Sequence, residues 1–247
     1  MSLFKVAILC RYLKNFQKSE NIHIGRVRIR SYMNSVVRVS LNTTPEQFAR
    51  LQALQSVFAQ VCNALAPEVQ RTRVWNRVVL HHMHYRALRE KFPALGSQMV
   101  CNAIYAVSRT SRMVFQTPAS PFSLAKLGDK PLPLLQFANS CPVYFDRHTL
   151  SIKGVKLSMF TLDGRMHFAL TLPESQLLLF KEAKLREISL TRRLDGFFEL
   201  AFWFESQQAL SKQEDQAELN VQLPGDVPAH LMAQSPIPDY VSIEVAA

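Results

Sequence analysis

Acidic residues are nearly missing from the first half of this chain. Residues 1–117 contain only Glu20, Glu46, Glu68 and Glu90 against 17 Lys and Arg, a net charge of +13. Two-metal phosphodiester cleavage needs several converging carboxylates, and these four show no convergence, so no metal-dependent nuclease centre is expected there. Cysteine is sparse as well: Cys10, Cys62, Cys101 and Cys141 stand singly. Without paired spacing, neither a zinc knuckle nor a redox dithiol is indicated, and a reducing, cytoplasmic compartment fits. No apolar run approaches the roughly 20 residues of a membrane-spanning helix, and Phe4 to Cys10 makes a poor secretory signal. Gly-rich phosphate loops and Gly-x-Ser-x-Gly elbows are absent too. With 7 Gly and 48% apolar residues in 247, most of the chain should bury a core rather than stay disordered.

The positive charge that is present is uneven. Residues 118–205 carry +2 and residues 206–247 carry −5, against the +13 of the first segment. A surplus confined to one half is the footprint expected of a protein that neutralises phosphates. Residues 1–34 read either as a basic arm or as a stretch upstream of a true start at Met33.

Alternation over Val36–Leu41 predicts a half-buried strand. Thr44-Pro45-Glu46-Gln47 then predicts a helix start, with a Thr cap and Pro at the first helical position. Leu51, Leu54, Phe58, Val61, Cys62 and Leu65 recur at helical spacing, so residues 45–66 form one helix, with Pro67 interrupting near its end. Further helices are expected over 73–91 and 96–114. On the third, Val100, Ala103, Ile104, Val107 and Val114 form an apolar stripe, while Ser97, Gln98, Cys101, Tyr105, Ser108, Arg109 and Arg112 fall in a separate sector of about 120°. An aromatic ring, an amide and two guanidinium groups presented together can touch phosphates or a groove edge.

Beyond Pro121 the texture changes to short apolar-aromatic runs at 142–146, 149–152, 155–160, 167–172 and 197–204. Lys153-Gly154, Asp163-Gly164 and Asp195-Gly196 between them match tight turns, and five strands at this spacing predict a small barrel. Residues 206–235 read as a linker. His81, His82 and His84 do not form a metal set, because His81 and Tyr85 share the converging i, i+4 positions and no Cys or acidic partner lies nearby. Basic clusters with aromatic neighbours suit backbone binding to a folded nucleic acid, with rings available for unpaired bases. One contains Arg71, Arg73 and Arg77 beside Trp75; another contains Arg86, Arg89 and Lys91 after Tyr85. A third, in the β-rich half, contains Lys153, Lys156, Arg165, Lys181, Lys184, Arg186, Arg192 and Arg193.

Four segments carry a resemblance. They are Arg38-Val-Ser-Leu-Asn-Thr-Thr-Pro-Glu-Gln47, Tyr85-Arg-Ala-Leu-Arg89 through Phe92-Pro-Ala-Leu-Gly-Ser-Gln98, Val155-Lys-Leu-Ser-Met-Phe-Thr-Leu-Asp-Gly-Arg165, and Leu194-Asp-Gly-Phe-Phe-Glu-Leu200. Their order resembles the N-terminal half of TnpB, the RNA-guided nuclease of insertion sequences, and of compact type V CRISPR effectors. The resemblance implies an α+β fold in which a small OB-like wedge barrel, residues 35–44 and 119–205, is interrupted by a three-helix recognition insertion at 45–118. It implies guide-RNA binding by Arg71, Arg73, Arg77, Lys153, Lys156, Arg165, Arg192 and Arg193. Contact with a target-adjacent motif in double-stranded DNA falls to Ser97, Gln98, Asn102, Tyr105, Arg109 and Arg112. Guide pairing would supply sequence specificity.

The resemblance departs at the end of the chain. Within 206–247, Ser242-Ile-Glu-Val-Ala246 stands where the family's first RuvC-like strand carries its metal-binding Asp. Glu244 replaces that Asp, and the partner acids are not in the sequence. The expectation is a nuclease-lacking, RNA-guided DNA-binding protein of a prokaryotic cytoplasm, associated with the nucleoid when target-bound, with no catalytic residues, metal or cofactor. Three alternatives stand beside it: a split effector whose separate nuclease chain pairs with the unpaired strand Val241 to Val245, a general basic RNA-binding protein, and a truncated relic.

Overall fold

The computed structural model describes residues 32–207 and 237–245. Most of the expected basic arm and most of the expected linker lie outside these residues.

Strand β1 (Tyr32–Leu41) is longer than the expected 36–41 and pairs antiparallel with β8 (Phe198–Gln207) over its whole length. Val37, Val39 and Leu41 face inward, so the alternation in the sequence is the alternation of the pleat. The strand preceding the helices thus shares a sheet with a strand that follows them.

Helix α1 (Pro45–Thr72) opens with a complete capping box. The Thr44 hydroxyl accepts from Gln47 N–H at 3.2 Å, and the Gln47 side chain accepts from Thr44 N–H at 3.0 Å. The helix runs through Pro67 to Thr72, so the expected interruption is corrected. Proline in a helix interior costs about 3 kcal/mol, and the flanking turns are held from outside. Asn63 exchanges two side-chain hydrogen bonds with the Phe137 backbone, Val69 is buried, and Gln70 donates to the Leu132 carbonyl at 3.0 Å.

Helix α2 spans Arg77–Lys91, starting four residues later than the spacing suggests because the Asn76 side chain caps Val78 and Val79. Leu80 and Leu88 are its buried residues, which leaves most of its surface exposed. Helix α3 (Ser97–Gln116) is buried nearly all round, its polar residues included. The short α4 (Leu124–Leu127) leads into the strands.

The strands are β2 (Leu134–Phe137), β3 (Val143–Phe145), β4 (Leu150–Lys153), β5 (Lys156–Thr161), β6 (Gly164–Ala169), β7 (Lys184–Arg192) and β9 (Val241–Glu244), with α5 (Glu174–Glu182) between β6 and β7. Among the described residues they form three antiparallel sheets, ordered β1-β8-β7-β3, β4-β5-β6 and β2-β9. The mixed α+β class therefore holds, while hydrogen bonding does not close the strands into a barrel. One hydrophobic cluster runs from Val37 through α1 and α3 to Phe202 and Val241.

Two strands escaped the sequence pattern. In β7 a bulge at Arg186 shifts register between Leu185 and Glu187, which breaks the alternation. β2 is defined by its partner β9, in the register Leu134↔Glu244 to Phe137↔Val241. The expectation that Val241–Val245 is unpaired is corrected by this ladder. Both hairpin turns of the middle sheet also sit one residue later or earlier than expected. The loop residues are Gly154-Val155, with Gly154 at φ 59°, and Leu162-Asp163, followed by Gly164 at φ 104°. No helix among the described residues is long and apolar enough to cross a membrane.

Candidate nucleic-acid interface

The polar sector of α3 faces inward. Strand β7 brings Glu187 beneath it, and β3 brings Tyr144. Tyr105 donates to Glu187 Oε2 at 2.6 Å, and Arg109 Nε pairs with the same oxygen at 3.0 Å, the two charged side chains being 5% and 4% exposed. The Arg109 guanidinium lies 5.4 Å from the centre of the Tyr144 ring, whose edge meets Tyr105. Tyr240, from the distant C-terminal segment, completes the cluster beside Tyr144 and Thr110. Buried Asn102 donates to the Thr149 hydroxyl at 3.4 Å, and Gln98 donates to Asp146 at 2.5 Å. Arg112 donates to the Ser108 hydroxyl, which donates to the Trp75 carbonyl. Ser97 alone of the six expected DNA-contacting residues is exposed.

The expectation of one solvent-facing polar face on α3 is therefore corrected. Gln98, Asn102, Tyr105, Arg109 and Arg112 are engaged within the protein, with Asn102 and Arg109 buried. The helical period grouped them properly, but the partner that draws Tyr105 and Arg109 inward, Glu187, lies on the unrecognised strand. An unpaired guanidinium could not be buried there without large cost.

Burial and the neighbouring Glu187 raise the Tyr105 phenol above its ordinary value, and burial raises Tyr144 and Tyr240. Burial alone would lower Arg109, but the phenols and Glu187 hold it charged and raise it overall. The phenols bind their protons more tightly folded than unfolded, so their contribution is complete below the ordinary tyrosine value of 10.0 and lost as pH rises above it. Urea midpoints should stay level to mildly alkaline pH and then fall. Absorbance at 295 nm should show three of the six tyrosines titrating only with unfolding; normal titration of all six in the folded protein would contradict this.

The basic residues that do meet at a surface lie on the three-stranded sheet. Its ladders pair Ser151↔Ser158↔His167, Lys153↔Lys156↔Ala169 and Phe160↔Arg165. Directly paired residues share a face, and the opposite face, with Leu150, Leu157, Met159, Met166 and Phe168, is buried. The outer face thus presents Lys153, Lys156, Arg165, His167 and Phe160 together. Arg165 is fixed by bonds to the Ser158 hydroxyl at 3.1 Å and the His148 carbonyl at 3.0 Å, with its guanidinium 4.2 Å from the Phe160 ring centre. The acid in this meander, Asp163, lies in the turn and pairs with Arg50 at 2.8 Å. A hydrogen bond from Thr161 and that arginine lower its proton affinity. Among the described residues no carboxylate of these strands stands on the outer face.

The remaining expected RNA-binding residues are scattered. Arg71 pairs with Glu68 at 2.6 Å, and Arg73 donates to the carbonyls of Gly128 and Lys130. Arg77 lies over the Tyr105 ring and Arg192 over Phe48. Arg193 is held by Asp195 at 2.7 Å and by the Ser40 hydroxyl. His81 stacks on Tyr85 at 4.7 Å, the convergence that helical spacing gives. Among the described residues no group of three or more His, Cys, Asp and Glu could hold a metal, and Cys62, Cys101 and Cys141 are free thiols.

Phe160 and His167 were not singled out in the sequence. Their signal was the hairpin register: a turn misplaced by one residue sends a side chain to the wrong face. A scan of protein-family models finds no match to this chain, and a search of curated proteins likewise finds none.

Proposed function

We propose that this protein binds RNA through the outer face of β4-β5-β6, and that it is a nuclease-lacking, RNA-guided DNA-binding protein. The observation that carries the reading is the joint presentation of Lys153, Lys156, Arg165, His167 and Phe160 on a face where the described strands place no carboxylate. Lysines contribute point charges to phosphates, while a guanidinium layered on an aromatic ring offers a plane on which an unpaired base can stack. Sheet faces of this composition suit irregular single strands better than a duplex.

The guided part of the proposal rests on the resemblance to TnpB and compact type V effectors. In that reading the four- and three-stranded sheets are the walls of an open, OB-like wedge that grips a guide scaffold, and α1 to α3 are the recognition insertion. Because α3 turns its polar side inward, duplex contact passes to Ser97 and to the exposed side of α2, where His82 and Arg86 stand. A general RNA-binding role is the second reading, favoured by the sheet face being sufficient for it.

Sequencing the RNA that copurifies with the protein separates these. A discrete species with a constant scaffold and a variable end is expected. Heterogeneous cellular RNA would leave the general role and overturn the guided one, and absence of RNA would overturn both.

A further inference from the structure

We propose that the groove between β4 and α5 docks an extended segment of a protein partner, with apolar side chains on one side and acidic ones on the other. This inference is independent of nucleic-acid binding. The groove encloses about 740 Å³ and is walled by Ile152, Val155, Leu172, Leu177, Phe180 and Leu185. Its apolar walls are incompletely covered: Val155 is 73% exposed and Leu185 39%, and α5 has no buried residue at all. A helix whose apolar residues are only partly covered gains most from a ligand that completes their burial.

Two further observations define the occupant. First, β4 is the edge of its sheet. The bond from Phe160 N–H to the Thr149 carbonyl sets the phase of the ladder. Ser151 and Lys153 therefore direct their backbone groups at β5, and Ile152, a residue of the groove lining, directs its N–H and C=O away from β5 at the open edge of the sheet. No backbone partner meets the Ile152 pair among the described residues. An extended peptide satisfies such an edge by adding a strand, and its alternate side chains enter the apolar pocket. Second, Arg147 and Lys181 are the charged residues of the lining, with no carboxylate among it. Complementarity then selects acidic side chains on the ligand. A lipid carboxylate could match the cations and the apolar walls, but it would leave the strand edge unpaired.

Fluorescence anisotropy tests this with three labelled decapeptides. One alternates valine with glutamate, one alternates valine with lysine, and one is the glutamate peptide N-methylated at alternate residues. The first should bind saturably and the other two at least about tenfold more weakly, a loss of about 1.4 kcal/mol or more. Lys181→Glu combined with Arg147→Glu, both at the surface, should reverse the preference between the first two. Ile152→Pro, at a position where an edge strand tolerates proline, should abolish binding while thermal unfolding stays cooperative. Equal binding of the N-methylated peptide, with displacement by oleate, would reassign the groove to an anionic lipid and overturn the proposal. Displacement by a decauridylate would extend the RNA surface into the groove and overturn it equally, as would absence of saturable peptide binding.

Discussion

Glu187→Ala is expected to destabilise the protein by about 3–5 kcal/mol, the range for removing one partner of a buried ion pair. Arg109 would keep its charge in a site where it is 5% exposed, and Tyr105 would lose the acceptor of its 2.6 Å hydrogen bond. Arg109 in particular has little access to water. The loss should far exceed the net value of any single hydrogen bond, about 1 kcal/mol, because the penalty is an orphaned charge. Arg109→Met with Glu187→Leu should recover most of it, since replacing both members by apolar groups of similar volume is often near neutral. Urea unfolding of the wild type, Arg109→Met, Glu187→Leu and the pair forms the cycle, with Glu187→Ala measured beside it. A loss under about 1 kcal/mol for Glu187→Ala would mean that Arg109 escapes to solvent and that the α3 face is not locked. Because Tyr240 lies in the same cluster, the single variant should also speed amide exchange across Val241–Glu244.

The second large effect concerns RNA. Lys153→Ala, Lys156→Ala and Arg165→Ala together should weaken RNA binding by about two orders of magnitude. Each cation that meets a single-strand phosphate contributes about 0.7 to the slope of log affinity against log salt, so the slope should fall in magnitude by about 2. All three side chains are exposed, and surface changes of this kind usually shift stability by less than about 0.5 kcal/mol. Lost affinity with an unchanged unfolding midpoint would therefore report contact rather than collapse. Phe160→Ala should act differently. Removing a stacking ring costs about 1–3 kcal/mol per base and should leave the salt slope nearly untouched. Binding that ignores all four substitutions would place the RNA elsewhere.

Much of the helical part was legible because local signals and tertiary needs agree there. Thr44-Pro45 caps a helix in any context, and the stripe from Leu51 to Leu65 must be buried whatever covers it. Helix α1 outlasts Pro67 because the compensation comes from Phe137 and Leu132, residues no local pattern connects to it. The polar side of α3 was visible as a sector, but whether it faces water depends on Glu187, whose strand begins with charged residues and a bulge. In the β-rich half, Lys153, Lys156 and Arg165 were named for their charge. Their convergence is a property of two hairpin registers, and with it comes Phe160. Strand β9 suggested an open edge in the sequence because its partner Leu134–Phe137 lies about a hundred residues earlier, with no turn between them to announce the pairing.

Ultraviolet crosslinking of the copurified RNA, followed by mass spectrometry of the tryptic peptides, tests the RNA-binding face most directly. The peptide Leu157–Arg165, which contains Phe160 on the outer face of β5, should carry nucleotide adducts that vanish in Phe160→Ala, and in the Lys153, Lys156 and Arg165 triple variant the adducts should fall sharply on the longer tryptic peptide His148–Lys181 that then contains these residues. Adducts confined to the helices or to β1 and β8, with Leu157–Arg165 unmodified, would contradict the assignment of this sheet as the RNA-binding face.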